Sequence, residues 1–148
     1  MGEGISQYAF VDTNVLINDF FFRSRKRLTG YDASMAVQFL RAKPIVTLHI
    51  ASFSIIQLIS TLDKAKISNE ETALAIKRIL SRFKLIDLTA KDFDKALSIG
   101  YNDTEDAVQY TLCRKARCLY IITDNIKDFK TFKLVAAIKP KAVRKMVF

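Results

Sequence analysis

The segment that most constrains the fold of this chain runs from Tyr8 to Asn14. A short apolar run of the kind found in buried strands ends in a carboxylate, a hydroxyl and a carboxamide, and a helical pattern follows. In an open α/β sheet, groups at the carboxyl end of a central strand face the crevice where ligands bind. The pattern therefore predicts that Asp12 lies at a ligand site, together with whichever other acids the fold brings there.

Strand and helix patterns alternate along the remaining chain. Apolar or β-branched runs predict further strands at 45–48, 85–88, 119–122 and 134–138. Helical spacing and capping signals predict helices at 14–22, 32–42, 52–66, 68–83, 89–100, 104–116 and 127–129, with a terminal helix from Pro140. Such alternation is typical of an α/β fold with a mostly parallel sheet and helices on both faces. No linker or repeat interrupts it, so we expect residues 1–148 to form a single domain.

The formal net charge is +9, from 24 Lys and Arg against 15 Asp and Glu. This excess favours a polyanionic partner, nucleic acid before a membrane surface, although net charge also serves ordinary solubility. The run 23–27 is strongly basic and is interpreted either as a solvated, flexible loop or as a grip on a phosphate backbone. Basic residues also crowd the C-terminus at Lys139, Lys141, Arg144 and Lys145.

Several classes of protein are disfavoured by composition. Charged residues interrupt every apolar run before it reaches the length of a membrane span, and residues 1–4 lack the layout of a signal peptide. A cytoplasmic protein without a membrane partner is the expectation. The two cysteines, Cys113 and Cys118, and the single histidine, His49, are too few for a zinc site, so we expect two reduced, buried thiols.

Acidic residues fall at strand and helix ends that a parallel sheet brings to one edge. Asp12 follows the first strand, Asp103 and Asp106 open the helix at 104–116, and Asp124 follows the strand at 119–122. Acids in a first helical turn also cap amides, and for Asp103 capping is the favoured interpretation. Asp106 precedes an apolar helix face and is harder to explain unless it faces a crevice. Clustered carboxylates repel one another, and oxygen ligands without histidine select Mg²⁺ or Mn²⁺, which suits phosphodiester hydrolysis.

Three segments together resemble motifs of the PIN-domain family of metal-dependent ribonucleases. They are Phe10–Ile17, Asp103–Gln109 and Ile121–Phe129, and the resemblance spans nearly the whole chain. It implies a parallel sheet covered by helices on both sides, an acidic pocket for Mg²⁺ or Mn²⁺, and cleavage of RNA. Many small bacterial members are toxins paired with an antitoxin, and dimers are common among them, so an antitoxin partner and a homodimer are further expectations from the resemblance.

The resemblance also assigns roles to residues of this chain. Asp12 and Asp106 match metal ligands, and Asp124 or Asp103 would complete the site. Thr13, Asn14, Gln57, Thr123 and Asn125 would orient water and phosphate.

Two positions depart from the family pattern. Gln57 stands at or beside the position where the family has a glutamate, and Asn125 is neutral at the closing motif. A carboxamide oxygen can bind a metal, but it brings no charge and cannot act as a base. The alternative function is therefore a catalytically weakened PIN module that binds RNA or a protein. A phosphohydrolase with Asp12 as nucleophile is a more remote alternative, because Asn14 stands where that chemistry needs a second aspartate.

Overall fold

The computed structural model describes residues 6–100, 103–130 and 132–148. Its strands are β1 (Gln7–Val11), β2 (Val46–Ala51), β3 (Lys84–Ile86), β4 (Tyr120–Ile122) and β5 (Ala136–Ile138). Its α-helices are α1 (Thr13–Arg25), α2 (Tyr31–Arg41), α3 (Ser52–Lys64), α4 (Asn69–Arg82), α5 (Ala90–Ser98), α6 (Thr104–Lys115) and α7 (Ile126–Phe129). Short 3₁₀ helices cover Leu28–Gly30 and Pro140–Lys145. Every predicted strand and helix has an observed counterpart.

The five strands form one all-parallel sheet in the order β3-β2-β1-β4-β5. Chain order leads from β1 outward through β2 to β3 on one side, and β4 then returns to pair with the other side of β1. Val11 stands opposite Ile122, so the residues that follow these two strands emerge side by side. The carboxyl ends of β1 and β4 therefore form the switch point of the sheet, the place at which open α/β sheets bind ligands.

Side chains alternate between the two faces of the sheet, and each face has its own core. Ala9 and Val11 pack in the cluster that contains the apolar residues of α1 to α4. Phe10, between them, packs in the other cluster with residues of α5, α6 and α7. Both faces of β1 are therefore covered, as the uninterrupted apolar sequence of a central parallel strand requires. The prediction of an α/β fold with helices on both faces is confirmed.

The prediction of a flexible basic loop at 23–27 is wrong in its first part. Helix α1 continues through Arg25, and the left-handed turn at Lys26 (φ 56°) ends it. Two ion pairs stabilise the extension: Arg23 binds Asp19 one turn earlier, and Arg25 binds Glu71 at the start of α4. The sequence of the run itself does not contain these partners, so composition alone suggested a loop.

Local capping signals predicted the starts of helices more reliably than composition predicted the loop at 23–27. The side chain of Ser68 accepts a hydrogen bond from the backbone amide of Glu71 at 3.1 Å, and Thr89 with Asp92 forms a complete capping box. Cys113 and Cys118 are both buried and free, as expected. Within the described ranges, no helix has the length and apolar character needed to cross a membrane. Residues 1–4, on which the expectation about a signal peptide rested, lie outside the described residues.

Candidate active site

Asp12 lies at the carboxyl end of β1, at the switch point of the sheet. Its backbone amide donates to the carbonyl of Ile122 on β4 at 3.0 Å, which fixes it against the neighbouring strand. The side chain is only 6% exposed. Its Oδ2 accepts a hydrogen bond of 2.8 Å from the hydroxyl of Thr123, the residue that follows β4. The predicted proximity of the ends of β1 and β4 is therefore present in the structure.

Thr123 also organises the chain that leaves β4. It is fully buried, and its hydroxyl oxygen accepts a hydrogen bond from the backbone amide of Asn125 at 3.0 Å while donating to Asp12. One hydroxyl thus ties the turn after β4 to the end of β1. Thr123 therefore positions Asp12 and the turn after β4, while the orienting of water or phosphate that the sequence suggested stays a prediction.

A chain of polar side chains leads from the start of α1 to the start of α6. The Thr13 hydroxyl lies 2.7 Å from that of Ser54 and donates to the Oε1 of Gln57 at 2.8 Å. The Nε2 of Gln57 then donates to the Oε1 of Glu105 at 3.2 Å. Gln57 therefore brings a carboxylate from another helix to the position beside Asp12.

An open groove of about 460 Å³ lies over this chain of contacts. Helix α1 and the residue before it contribute Asp12, Thr13, Asn14 and Ile17, and helix α3 contributes one wall, with Glu105 at the rim. The groove is larger in volume than a phosphate group. It places Asp12 within reach of a ligand although most of that side chain is buried.

Asp106, in the first turn of α6, shares the electrostatic environment of Asp12. Its backbone amide donates to the side chain of Asp103, which caps the helix as expected. Burial is the main cause that raises the pKa of Asp106 from 3.8 to about 6, and the negative charges of neighbouring acids, including Asp12 and Glu105, raise it further. Burial likewise raises the pKa of Asp12, with Glu105 and Asp124 as contributing charges. These acids therefore lie close enough to repel one another.

The closing motif contributes groups at the edge of the site. Asp124 is exposed and accepts a long hydrogen bond of 3.4 Å from the side chain of Asn18 on α1, yet its charge still acts on Asp12. The side-chain amide of Asn125 donates to Asp128, whose charge also acts on Asp106. Asp124 and Asn125 are thus at the rim of the site rather than at its floor.

Sequence reasoning missed three residues that the structure brings to the site: Ser54, Glu105 and Asp128. Glu105 was visible beside Asp106 but resembled an ordinary first-turn acid, and only its contact with Gln57 distinguishes it. Asp128 stands three residues after Asn125, a spacing that permits contact across one helical turn. No signal in the sequence could have paired Ser54 of α3 with Thr13 of α1.

The ligand atoms available at the site are of the chemical type that binds a hard divalent cation. The available ligands are carboxylate and carboxamide oxygens, and among the described residues no cationic side chain forms an ion pair with Asp12, Asp106 or Glu105. Burial without a counterion is the situation that a bound cation relieves. Within the described part of the chain, no three acidic, histidine or cysteine side chains are arranged as a ready-made metal cluster. The core of the donor set is therefore the carboxylates of Asp12 and Asp106, with the carboxylate of Glu105 nearby.

Comparisons with known proteins identify the fold and the family of this chain. Comparison with curated protein sequences finds no significant match. The fold is similar to that of VapBC2 from Rickettsia felis bound to a DNA fragment from its promoter (TM-score 0.65, 18% identity, 90% of this chain and 98% of that chain). It is also similar to a toxin-antitoxin complex from Klebsiella pneumoniae (TM-score 0.62, 22% identity, 89% of this chain and 97% of that chain). A third similar structure is Mycobacterium tuberculosis VapC20, a sarcin-ricin loop cleaving toxin (TM-score 0.63, 15% identity, 86% of this chain and 96% of that chain). The family model for the PIN domain matches residues 8–127, and the chain belongs to the PIN domain family.

Proposed function

We propose that residues 1–148 form a single-domain ribonuclease that depends on Mg²⁺ or Mn²⁺ and hydrolyses RNA phosphodiester bonds. One observation carries the proposal: Asp12 is buried at the switch point beside Asp106 and Glu105, and no cationic side chain among the described residues pairs with these acids. Burying the carboxylate of Asp12, and part of that of Asp106, without a counterion costs stability, so the retention of these acids at a ligand crevice favours a role in binding a cation.

Each residue of the site then has a proposed role. Asp12 and Asp106 bind the cation through carboxylate oxygens, with Asp103 and Asp124 as supporting charges. A bound divalent cation polarises a scissile phosphate and lowers the pKa of water. Thr123 holds Asp12 in one orientation through its 2.8 Å hydrogen bond. Thr13 and Asn14, which line the groove, and Asn125 at the rim of the site orient water and phosphate.

Glu105 compensates for the neutral Gln57. In this chain a carboxamide occupies the position that the family fills with a glutamate, and its Nε2 binds the carboxylate of Glu105 at 3.2 Å. The negative charge is therefore supplied from α6 instead of α3. We propose that Gln57 acts as the positioning residue of Glu105 and that the site keeps three negative charges.

Cleavage of single-stranded RNA with and without Mn²⁺ tests the function. We expect cleavage that requires the metal and that Asp12→Asn removes, because the substitution keeps the shape of the side chain but removes its charge. Asp94→Asn is the matched control, because Asp94 is an exposed residue of α5, and this variant should cleave as the wild type does. Circular dichroism must show both variants folded. Equal cleavage by Asp12→Asn would refute the assignment.

A toxin role with an antitoxin protein as partner is proposed on the similarity to toxin-antitoxin structures. One of those structures is VapBC2 bound to a DNA fragment from its promoter, and another is a toxin-antitoxin complex. Expression of this chain should arrest growth of a bacterial host, and Asp12→Asn should relieve the arrest. Growth arrest by the Asp12→Asn variant would contradict an enzymatic toxin. A homodimer and a cytoplasmic location stay predictions from the sequence, and size-exclusion chromatography with light scattering tests the first.

A second candidate function is a PIN module that binds RNA or protein without catalysis. The neutral side chains at Gln57 and Asn125 favour it, as does the lack of a ready-made cluster of three metal ligands among the described residues. Calorimetric titration separates the two candidates. The nuclease should bind Mn²⁺ with a measurable heat that Asp106→Asn reduces, whereas the catalytically inactive module should show no binding at millimolar concentration.

A further inference from the structure

Arginines from three helices meet at one groove that the proposed catalytic residues do not use. Arg23 of α1, Arg41 of α2, and Arg78 and Arg82 of α4 all line a narrow pocket over the apolar core between these helices. Asp19 is the only acidic residue in its lining, and Arg23 binds that carboxylate with two hydrogen bonds of 3.0 and 2.8 Å. We call Arg23, Arg41, Arg78 and Arg82 the arginine cluster.

Three members of the arginine cluster, Arg41, Arg78 and Arg82, form no ion pair among the described residues. The carboxylate of Asp19 acts on Arg78 and Arg82, but more weakly than the neighbouring arginines do. The charge of Arg23 is the main cause that lowers the pKa of Arg78. Burial lowers the pKa of Arg82, and the charges of Arg41 and Arg23 lower it further. The guanidinium groups therefore repel one another across the groove, and an anion placed between them would relieve the repulsion.

The cluster continues into a second basic groove. Arg41 and Arg82 also line an open groove of about 410 Å³ next to the first pocket. This groove adds the ammonium group of Lys84 and the hydroxyl group of Thr47, whereas the hydroxyl group of Ser81 donates to the carbonyl of Arg78. Among the described residues, no acid lies in its lining. Hydroxyl, guanidinium and ammonium groups can all donate to a phosphate oxygen.

We propose that the arginine cluster and Lys84 form a contact for the phosphate backbone of single-stranded RNA, separate from the site of cleavage. The inference rests on the proposed ribonuclease function and extends it by assigning how the substrate is held. One member of the contact, Arg23, lies on the same helix as the catalytic groove. Thr13 and Asn14 begin α1 at that groove, and Arg23 lies about 14 Å further along the helix at 1.5 Å per residue. A strand that reaches from the groove to Arg23 therefore needs only a few nucleotides between them.

The chemistry of the groove favours backbone recognition without sequence preference. Sequence-tolerant stacking on bases needs exposed aromatic faces, but Phe20 and Phe83 beneath the cluster are only 8% and 9% exposed. The groups that remain accessible are donors to phosphate, which position a strand but do not read its bases. We therefore expect the arginine cluster to raise the affinity for RNA of any sequence.

Fluorescence anisotropy with a labelled single strand of about 12 nucleotides tests the proposal, in EDTA so that no cleavage occurs. The test variant is the double substitution Arg41→Gln and Arg78→Gln, and both side chains are exposed. The control is Lys77→Gln with Lys91→Gln, two exposed lysines with the same total change in charge that line neither groove. We expect the test variant to bind about tenfold more weakly, with a salt-dependence slope reduced by about 1.4, whereas the control stays within about twofold of wild type.

A second readout separates this proposal from the proposed catalysis. If the protein cleaves RNA, the test variant should lose cleavage efficiency on the long strand but not on a dinucleotide, which occupies the catalytic groove alone. If the protein cleaves no RNA, the ribonuclease function fails, yet the anisotropy experiment still tests the phosphate contact. Both variants should melt within about 2 °C of the wild type, because exposed side chains without partners are replaced.

Three outcomes would overturn the inference. An equal loss of affinity in the test and control variants would show that net charge, not the arginine cluster, holds RNA. Unchanged binding by the test variant would show that the cluster is not a contact. Binding of a polyglutamate peptide that depends on Arg41 and Arg78, without RNA binding that does, would assign the groove to an acidic protein segment instead.

Discussion

Neutralising Asp106 should stabilise the protein when no metal is present. Burial and the surrounding acids raise the pKa of Asp106 from 3.8 to about 6, so the ionised form is less favourable in the folded chain than in the unfolded one. At 1.36 kcal/mol per unit, this shift corresponds to a ceiling of about 3 kcal/mol. The side chain is partly exposed, so solvent screening reduces the cost to ~1.5 kcal/mol. Asp106→Asn also loses a favourable interaction with the α6 dipole, ~0.5 kcal/mol, which leaves a net gain of about 1 kcal/mol.

The sign of this effect depends on pH. Because the folded pKa lies above the unfolded one, the cost is absent below about pH 4, where the carboxyl group is protonated, and complete above about pH 6. Urea or thermal denaturation of wild type and Asp106→Asn in EDTA should therefore show the variant more stable at pH 8. The gain in melting temperature should be about 3 °C. Most of the difference should disappear by pH 4.

Asp94→Asn provides the matched control, because Asp94 is an exposed acid on α5. The protein already carries a formal charge of +9, so the loss of an ordinary surface acid should be neutral or slightly destabilising. Addition of Mn²⁺ should stabilise the wild type more than Asp106→Asn, since a cation that binds only the folded state stabilises it. If Asp106→Asn is no more stable than wild type at pH 8, the acids do not repel one another as inferred here.

Three further predictions concern other contacts. Glu105→Gln should weaken Mn²⁺ binding in calorimetry, and Gln57→Glu in the same chain should restore it by returning the charge to α3; a loss without restoration would contradict the compensation. Gly30→Ala should destabilise the fold by about 3 kcal/mol in urea denaturation, because the added Cβ would lie 2.1 Å from a backbone carbonyl oxygen of α1; a cost below about 1 kcal/mol would contradict that clash. Lys115→Met should remove the hydrogen bond that, more than any other contact, lowers the pKa of Asp92. Its cost of ~1 kcal/mol at pH 7 should shrink as the pH falls below about 4 toward the lowered pKa of folded Asp92, because the carboxyl group then becomes protonated. A constant cost would contradict the ionic origin.

Much of the fold could be predicted because its signals are local. The apolar run before Asp12, the cap at Ser68 and the helix start at Thr89 each act within one strand or one helical turn, and the structure confirms all three. The length of α1 was predicted less well. Arg23 has its partner within the same helix, but Arg25 depends on Glu71 of α4, which no local pattern reveals.

Some of the acids of the site could be predicted because their positions follow from a general rule about parallel sheets. Asp12 and Asp106 stand at ends of elements that a parallel sheet brings to one edge, and that rule can be applied to a sequence. Their proposed roles as metal ligands stay predictions for the experiments above. Glu105 was passed over because a first-turn acid has a simpler explanation, and its contact with Gln57 joins residues of two separate helices.

The sequence by itself determined the order of strands and helices along the chain, the strand end that carries Asp12 and the basic character of the chain. These follow from the periodicity of apolar residues, from capping chemistry and from the count of charges. The tertiary structure alone decided that β4 returns beside β1, that Gln57 holds Glu105 at the groove and that arginines of α1, α2 and α4 meet. Each of these depends on packing between distant segments, because burial against a partner, and not the local pattern of a segment, selects which side chains meet.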